Sequence, residues 1–433
     1  MSVSSPQRDG LSPWRSGLSA EGDLNLLLVP FLGVMLFVRV LTDDRSAPNS
    51  RHSGSLNLSS VIALMFIFLA AYLLLRWRRG MLPTVLATLW LCVWMAIAVN
   101  TSGTSTETLR EGVREVSVVA LFVIVYNARG VVTVPIAARL VQFIGLVPAL
   151  LALYQLATNT GMDIAGNIRA HGTFAHPNSA AMFFTIAATA SLWLYLDNGR
   201  RRFDALLMTL FAAALIATFS IDGLITLAAL LTTFGLLRPG SLPVKLVPCA
   251  IAAVVVLVFF ATPLGAQRVA GETSTSLTAA ERGETTSTLD TRLYRWKTLL
   301  PEWEGSPVFG RGIGTTTTTE STSTNRLNFL LPHNEYIRYL VETGVVGLAI
   351  LLAGLALMLR SLIRRRKTPG TLAAGTLNAP ALALAVVGGC LVDSLADNTL
   401  LNSPTCYAAA LIVAAVLALP GIEVRRAPAP QTA

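Results

Sequence analysis

Two short polar stretches open apolar runs: Gly172-Thr173-Phe174-Ala175-His176-Pro177-Asn178 and Pro332-His333-Asn334-Glu335-Tyr336. Polar groups are costly in lipid and persist there for a reason, so function is sought in these segments first. A histidine exchanges a proton near neutral pH, and a helix start favours its neutral, base-competent form. His333 is therefore a candidate base, with Asn334, Glu335 and Arg338 on the turn behind it and Glu342 one turn further. The plain alternative is that Arg338 pairs with Glu335 or Glu342 at helical spacing while His333 merely caps. Around His176 the plain reading weighs more, because Pro177 and Asn178 suit the first turn of a helix. Arg169, Arg292 and Arg295 carry guanidinium forks that match phosphate, or that rest among lipid headgroups. Asp222 follows Ser220 at a turn between apolar runs. Asp393 and Asp397, four residues apart, share one helical face. At a helix C-terminus they oppose the dipole and need a cation or a role, unless they simply face water.

The elements that must carry these groups are apolar. Of 433 residues, 53% are hydrophobic and 13% charged, and the mean hydropathy is +0.61. A soluble chain carries about a quarter charged residues, so the composition predicts an all-α polytopic membrane protein. Twelve spans are expected at 24–41, 56–75, 81–99, 113–128, 138–157, 176–196, 203–220, 222–237, 243–262, 334–360, 374–396 and 404–420. The net charge of +9 sits in loops, which points to membrane orientation and away from nucleic acid. Basic connections, such as Arg76 to Arg79, Arg200 to Arg202, Arg364 to Lys367, and Arg425 with Arg426, alternate with acidic or Ser/Thr-rich ones. The positive-inside rule then places both termini in the cytoplasm and every polar cluster above at the outer face. Residues 1–22 and 422–433 read as cytoplasmic tails, with 1–22 disordered; 23–262 hold spans one to nine and 333–421 the last three. Between them, residues 263–332 form a long external loop, rich in Ser, Thr and Glu over Gly271–Thr288 and a pure threonine run over Thr315–Thr319. Within it Leu289–Trp303 is spaced as an amphipathic helix on the membrane surface. Cys92, Cys249, Cys390 and Cys406 all lie in apolar segments, with no pattern for a metal or redox site.

Taken in order, these residues resemble the bacterial O-antigen ligase and O-antigen polymerase superfamily, polytopic glycosyltransferases of the cell envelope. The resemblance is carried by Arg169 with Gly172-Thr173-Phe174 and His176-Pro177-Asn178, Arg292 with Trp296, and Ser306-Pro307 followed by Gly310, Gly312 and Gly314. It closes with His333-Asn334-Glu335-Tyr336, Glu342, Gly344 and Gly347. It implies a glycan donor on a polyprenyl pyrophosphate, attacked by an acceptor hydroxyl of a glycan, lipid or protein in the outer leaflet of the cytoplasmic membrane. It further implies His333 as the base or positioning group, Arg292 on the pyrophosphate, no cofactor and no metal. Proteins of this kind often place a Ser-Arg pair where this chain reads Ser220-Ile221-Asp222. Either Arg169 or Arg295 stands in for that arginine, or the pyrophosphate is held more weakly; Asp222 is then open to an acceptor hydroxyl. Asn334, Glu335, Arg338, His176, Asn178, Asp393 and Asp397 are expected around the acceptor or the cavity.

Two other classes compete. A transporter or flippase-like permease for an envelope precursor places polar groups on broken helices near mid-bilayer, whereas here they gather at one face. A non-catalytic scaffold leaves His333 and Arg292 free to vary without loss of activity.

Overall fold

The computed structural model describes residues 18–43, 58–76, 106–128, 130–164, 167–197, 199, 201–263, 265–266, 288–318, 331–366 and 378–419. The helices are α1 (Leu18–Leu41), α2 (Leu58–Arg76), α3 (Thr106–Asn127), α4 (Val134–Thr158), α5 (Pro177–Asp197), α6 (Arg202–Ala217) and α7 (Ile221–Leu237). They continue as α8 (Leu242–Ala261), α9 (Thr288–Glu304), α10 (Thr315–Thr318), α11 (Glu335–Arg366), α12 (Ala379–Asp393) and α13 (Ser403–Leu417). Each expected span among the described residues meets a helix within a few residues, apart from α1 and α3, which start earlier, α11, which runs on past 360 to Arg366, and α12, which is shorter at both ends. The expected span 81–99 lies outside the described residues, as does the loop stretch Gly271–Thr288 except its last residue.

Among the described residues α4, α5, α8 and α11 are long and apolar enough to cross a membrane, and five shorter apolar helices accompany them. Burial sorts the four. The apolar window of α5 is 83% buried, against 22% for α8 and 17% for α11. So α5 is the central post and the other two turn apolar side chains outward. Alanines at 180, 181, 187, 188 and 190, all buried, let neighbouring helices approach α5 closely.

Three local features depart from the pattern read off the sequence. A two-stranded antiparallel hairpin, β1 (Met162–Ile164) with β2 (Asn167–Arg169), adds a little sheet to an otherwise helical chain, pairing Met162 with Arg169. The threonine run, expected to be flexible, forms the turn α10, because Thr316 is fully buried and its hydroxyl donates to Glu342 Oε1 at 2.5 Å. Helix α11 is broken at Gly344, whose φ of 66° and ψ of −170° only glycine adopts readily. The chain at 307–312 enters that break. Arg311 N donates to Val341 O (2.8 Å), Gly312 N to Glu342 O (2.9 Å), and Val345 N to Pro307 O (2.9 Å). Gly310, with φ of 74°, makes this approach: a Cβ there would lie 2.5 Å from the Glu342 backbone.

Polar ties also define the two ends of the bundle. At one end Arg238 pairs with Asp197 (3.0 Å), Asn378 donates to Asp197 (2.6 Å), and Arg366 Nε donates to Leu237 O (2.8 Å). The helix starts at Pro177, Ile221 and Glu335 lie at the other end, and there the candidate site is built.

Candidate active site

His333 precedes the first turn of α11 with φ of 47°, a left-handed conformation uncommon for a residue with a side chain. Its neighbours fix that turn. Asn334 Oδ1 accepts from Ile337 N (3.0 Å) as the helix cap, while Asn334 Nδ2 donates to Leu395 O (3.0 Å). The amide of Glu335 donates to Ser394 O (2.9 Å), and the Tyr336 hydroxyl to Leu391 O (3.0 Å). The start of α11 is thus bolted to the end of α12. That contact brings in Asp397, whose Oδ1 lies 2.8 Å from His333 Nδ1. Facing a carboxylate, Nδ1 is the donor, which leaves the Nε2 lone pair as the basic position. Burial acts to raise the Asp397 carboxyl, but the hydrogen bond and charge of His333, with His176 and the Asn398 amide, bring it well below the usual carboxylate range.

The second histidine comes from the start of α5. Its ring centroid lies 6.3 Å from that of His333. His176 Nδ1 accepts from Asn178 N at 3.2 Å, which requires a neutral ring. Burial above all, with the charges of Arg169, His333 and Arg292 outweighing the opposing pull of Asp397, lowers its pKa to about 3. The loop before it is clamped by Gln155 of α4, whose Oε1 accepts from His171 N (2.9 Å) and Gly172 N (2.8 Å).

A chain of polar contacts runs on from Asn178. Its Oδ1 accepts from Arg169 Nη2 (2.7 Å) and from the Ser220 hydroxyl (3.1 Å). Ser220 caps α7 through Gly223 N (3.2 Å), and Arg169 Nε also donates to Thr218 O (2.8 Å). Strand β2 therefore aims Arg169 at the turn where a Ser-Arg pair would otherwise supply its guanidinium. Asn178 Nδ2 donates to Asp222 Oδ2 (3.4 Å), and Asp222 is held by both terminal nitrogens of Arg292, one at 3.2 Å. Arg292 reaches it from α9, which is anchored on the other histidine loop: Arg295 Nη1 donates to Leu331 O (3.0 Å) and Trp296 Nε1 to Pro332 O (2.6 Å). The apolar face of α9, expected on the membrane surface, packs Leu299 and Trp303 against Val341 and Ile337 of α11. Arg295 keeps a buried Nε with no hydrogen-bond partner. Burial, then the charge of Arg292, pulls its pKa below the ordinary value.

The remaining expected residues sit behind this front. Arg338 is buried, paired with Glu335 and, at 2.9 and 3.0 Å, with Glu342 and with Glu115 of α3. Glu115 also accepts from the Tyr339 hydroxyl (2.5 Å). The spacing of Glu335, Arg338 and Glu342 thus gives the intrahelical pairs that helical periodicity alone allows, and Glu115 extends them into a tie between α11 and α3. Asp393 accepts from Thr399 (2.8 Å) and Thr226 (3.4 Å), and is buried. Gln155 and Glu115 were missed by sequence reasoning. Gln155 is a polar residue in a largely apolar helix, and that signal could have found it, whereas Glu115 follows Arg110, Glu111 and Arg114 in the charged half of α3 and stands out by nothing local.

His333 with Asp397 can accept a proton, and the adjoining guanidinium groups can stabilise an anion. No curated protein matches the chain. Residues 205–352, about a third of its length, match the family model described as O-antigen ligase. That segment holds Asp222, Arg292, Arg295 and His333, while Arg169 and His176 come from before it and Asp397 from after it. The match supports the resemblance read from the motifs: residues 205–352 are similar to the O-antigen ligase family.

Proposed function

We propose that this protein transfers or polymerises a glycan from a polyprenyl-pyrophosphate carrier onto an acceptor hydroxyl at the outer face of the cytoplasmic membrane. The observation that carries this reading is the His333–Asp397 pair at 2.8 Å, beside Arg292 and Arg295 on the helix anchored to the same loop. The acceptor O–H loses its proton to His333 Nε2 as its oxygen bonds to the anomeric carbon. The bond from that carbon to the pyrophosphate oxygen breaks, and its electron pair leaves with the carrier. Arg292 and Arg295 meet the charge that develops there, with Arg169 in reserve through Asn178; preorganised cations of this kind lower the barrier. Asp222 is the resting counter-ion of Arg292, so the carrier shares or displaces it. Asp397 orients the imidazole and stabilises the imidazolium that forms. Glu335 and Arg338 hold the helix that presents His333, and His176 and Asn178 shape the opposite wall.

The test is release of polyprenyl pyrophosphate from a lipid-linked oligosaccharide by the full chain in nanodiscs, with acceptor present. His333→Ala and Arg292→Ala should each lower turnover by ~10²-fold or more while the protein stays monodisperse. Full activity in both variants would sink the assignment. Mass spectrometry of lipid-linked glycans in a deletion strain separates the two transfer modes: single repeat units accumulate if a polymerase is lost, long chains if a ligase is lost.

A further inference from the structure

His333 and His176 each bind the protein through Nδ1 and leave Nε2 unused. His333 Nδ1 donates to Asp397 Oδ1 (2.8 Å), so its Nε2 carries a lone pair. His176 Nδ1 accepts from Asn178 N (3.2 Å), so its Nε2 carries the hydrogen. The His-Pro-Asn order dictates this state. Pro177 has no N–H, and the next amide in the chain is that of Asn178. An amide N–H only donates, so the tautomer of His176 is fixed wherever α5 begins at Pro177. Among the described residues neither Nε2 has a hydrogen-bond partner, and both side chains are part-exposed. The ring centres lie 6.3 Å apart. A direct N–H···N bond between the rings would bring the centres to about 5 Å, whereas one oxygen bonded to both Nε2 atoms sets them ~6.5 Å apart. Both rings are also held from behind. Gln155 clamps the loop before His176 through His171 N (2.9 Å) and Gly172 N (2.8 Å), and Glu335 N donates to Ser394 O (2.9 Å) beside His333.

We infer that His176 is a second catalytic residue, whose Nε2–H donates to the same acceptor oxygen that gives its proton to His333 Nε2. The inference rests on the transfer reading above and adds how that site takes its acceptor. The hydroxyl directs its hydrogen at one ring and one lone pair at the other, which leaves its second lone pair for the anomeric carbon. Two hydrogen bonds to one oxygen fix both its distance and its direction, and orientation of this kind lowers a bimolecular barrier. The O–H bond breaks with its proton on His333 Nε2, the new C–O bond forms, and the pyrophosphate oxygen keeps the electron pair of the bond that breaks. His176 retains its hydrogen throughout. The pair also selects by chemical class, because a hydroxyl both donates and accepts. A carboxylate offers His333 no proton, and a protonated amine offers His176 no lone pair.

The experiment has two arms on the full chain in nanodiscs. The first measures carrier release from a lipid-linked oligosaccharide, with either more of that oligosaccharide or an extracted envelope glycolipid as acceptor. His176→Met, of similar bulk but without a donor, should lower kcat/KM for the acceptor by about 10²-fold and leave KM for the donor unchanged. His176→Gln puts an amide N–H where Nε2 stood and should recover activity to within ~tenfold of wild type. The second arm reads ¹⁵N-histidine spectra near neutral pH, in which the four histidines of the chain are few enough to assign by the signal lost in His176→Gln. His176 should show the Nε2–H tautomer, a reading taken on the wild type and independent of turnover. An Nδ1–H tautomer or an imidazolium at His176 overturns the proposal. So does a His176→Met variant as active as wild type, equal losses in the Met and Gln variants, or a loss confined to KM for the donor. A wild type that releases no carrier with either acceptor sinks the proposed function itself, and this inference with it.

Discussion

His333 and His176 share a residue type and a position before a helix, yet their surroundings give them opposite electrostatic characters. His333 hydrogen-bonds the Asp397 carboxylate through Nδ1. His176 accepts from a backbone amide and is held neutral above all by burial, which outweighs the pull of Asp397. The consequence is measurable as stability against pH. The folded His176 titrates near 3 and the unfolded one near 6.5, so the unfolded chain binds the extra proton in between. Its contribution is fully present above pH 6.5 and is lost as the pH falls toward 3. Melting temperature should therefore drop from about pH 7 to about pH 4, and His176→Gln should flatten that slope. Equal slopes in variant and wild type would show that His176 is not held neutral. The types of these residues were legible in the sequence, but their partners were not. The position of Asp397 near a helix end asks for a cation or a role, and nothing local says that its partner stands 64 positions earlier. The sequence context of Asp222 does not reveal that Arg292, 70 positions on, pairs with it.

At the scale of elements, hydropathy located most helices because a bilayer fixes span length and leaves few alternatives. It could not locate the break in α11, since the residues on both sides of Gly344 remain helix-forming. As an unbroken helix, Glu335–Arg366 would be ~48 Å long at 1.5 Å per residue, well beyond a ~30 Å hydrocarbon core. Gly344 resolves the excess. Before it, the turn bearing Arg338, Tyr339, Val341 and Glu342 is buried among polar and apolar partners; after it, Val345, Leu352 and Leu357 face outward. The glycines at 310 and 344 gain meaning together, as the two sides of a backbone seam that fixes how α9 and its loop meet the His333 helix. Gly344→Ala should lower stability by about 1–3 kcal/mol from the backbone conformation alone. The added Cβ would also meet Phe309 N at 2.6 Å. Thermal unfolding in detergent checks this, and a variant as stable as wild type would mean that the chain at 307–312 is not seated in the break.

For the molecule as a whole, the proposed function depends on which end of the bundle faces which compartment. One end collects His333, His176, Asp222 and Asp397. The other collects Arg238 with Asp197, Asn378, and the basic end of α11 at Arg364, Arg365 and Arg366. The positive-inside rule expects the arginines that flank spans on the cytoplasmic side, and the proposed function requires the histidine end to be the outer one. A carrier lipid presenting its glycan outside meets the site only in that orientation. Single cysteines decide it, in a background with the four native cysteines replaced. Glu304 is exposed beside the histidine end, and Ser241 is exposed at the start of α8, next to Arg238. Glu304→Cys should react with a membrane-impermeant maleimide on intact spheroplasts, and Ser241→Cys only after lysis. The reverse pattern would invert the molecule in the membrane and place the proposed transfer on the side where the carrier's glycan is absent. The proposed function would fail with it.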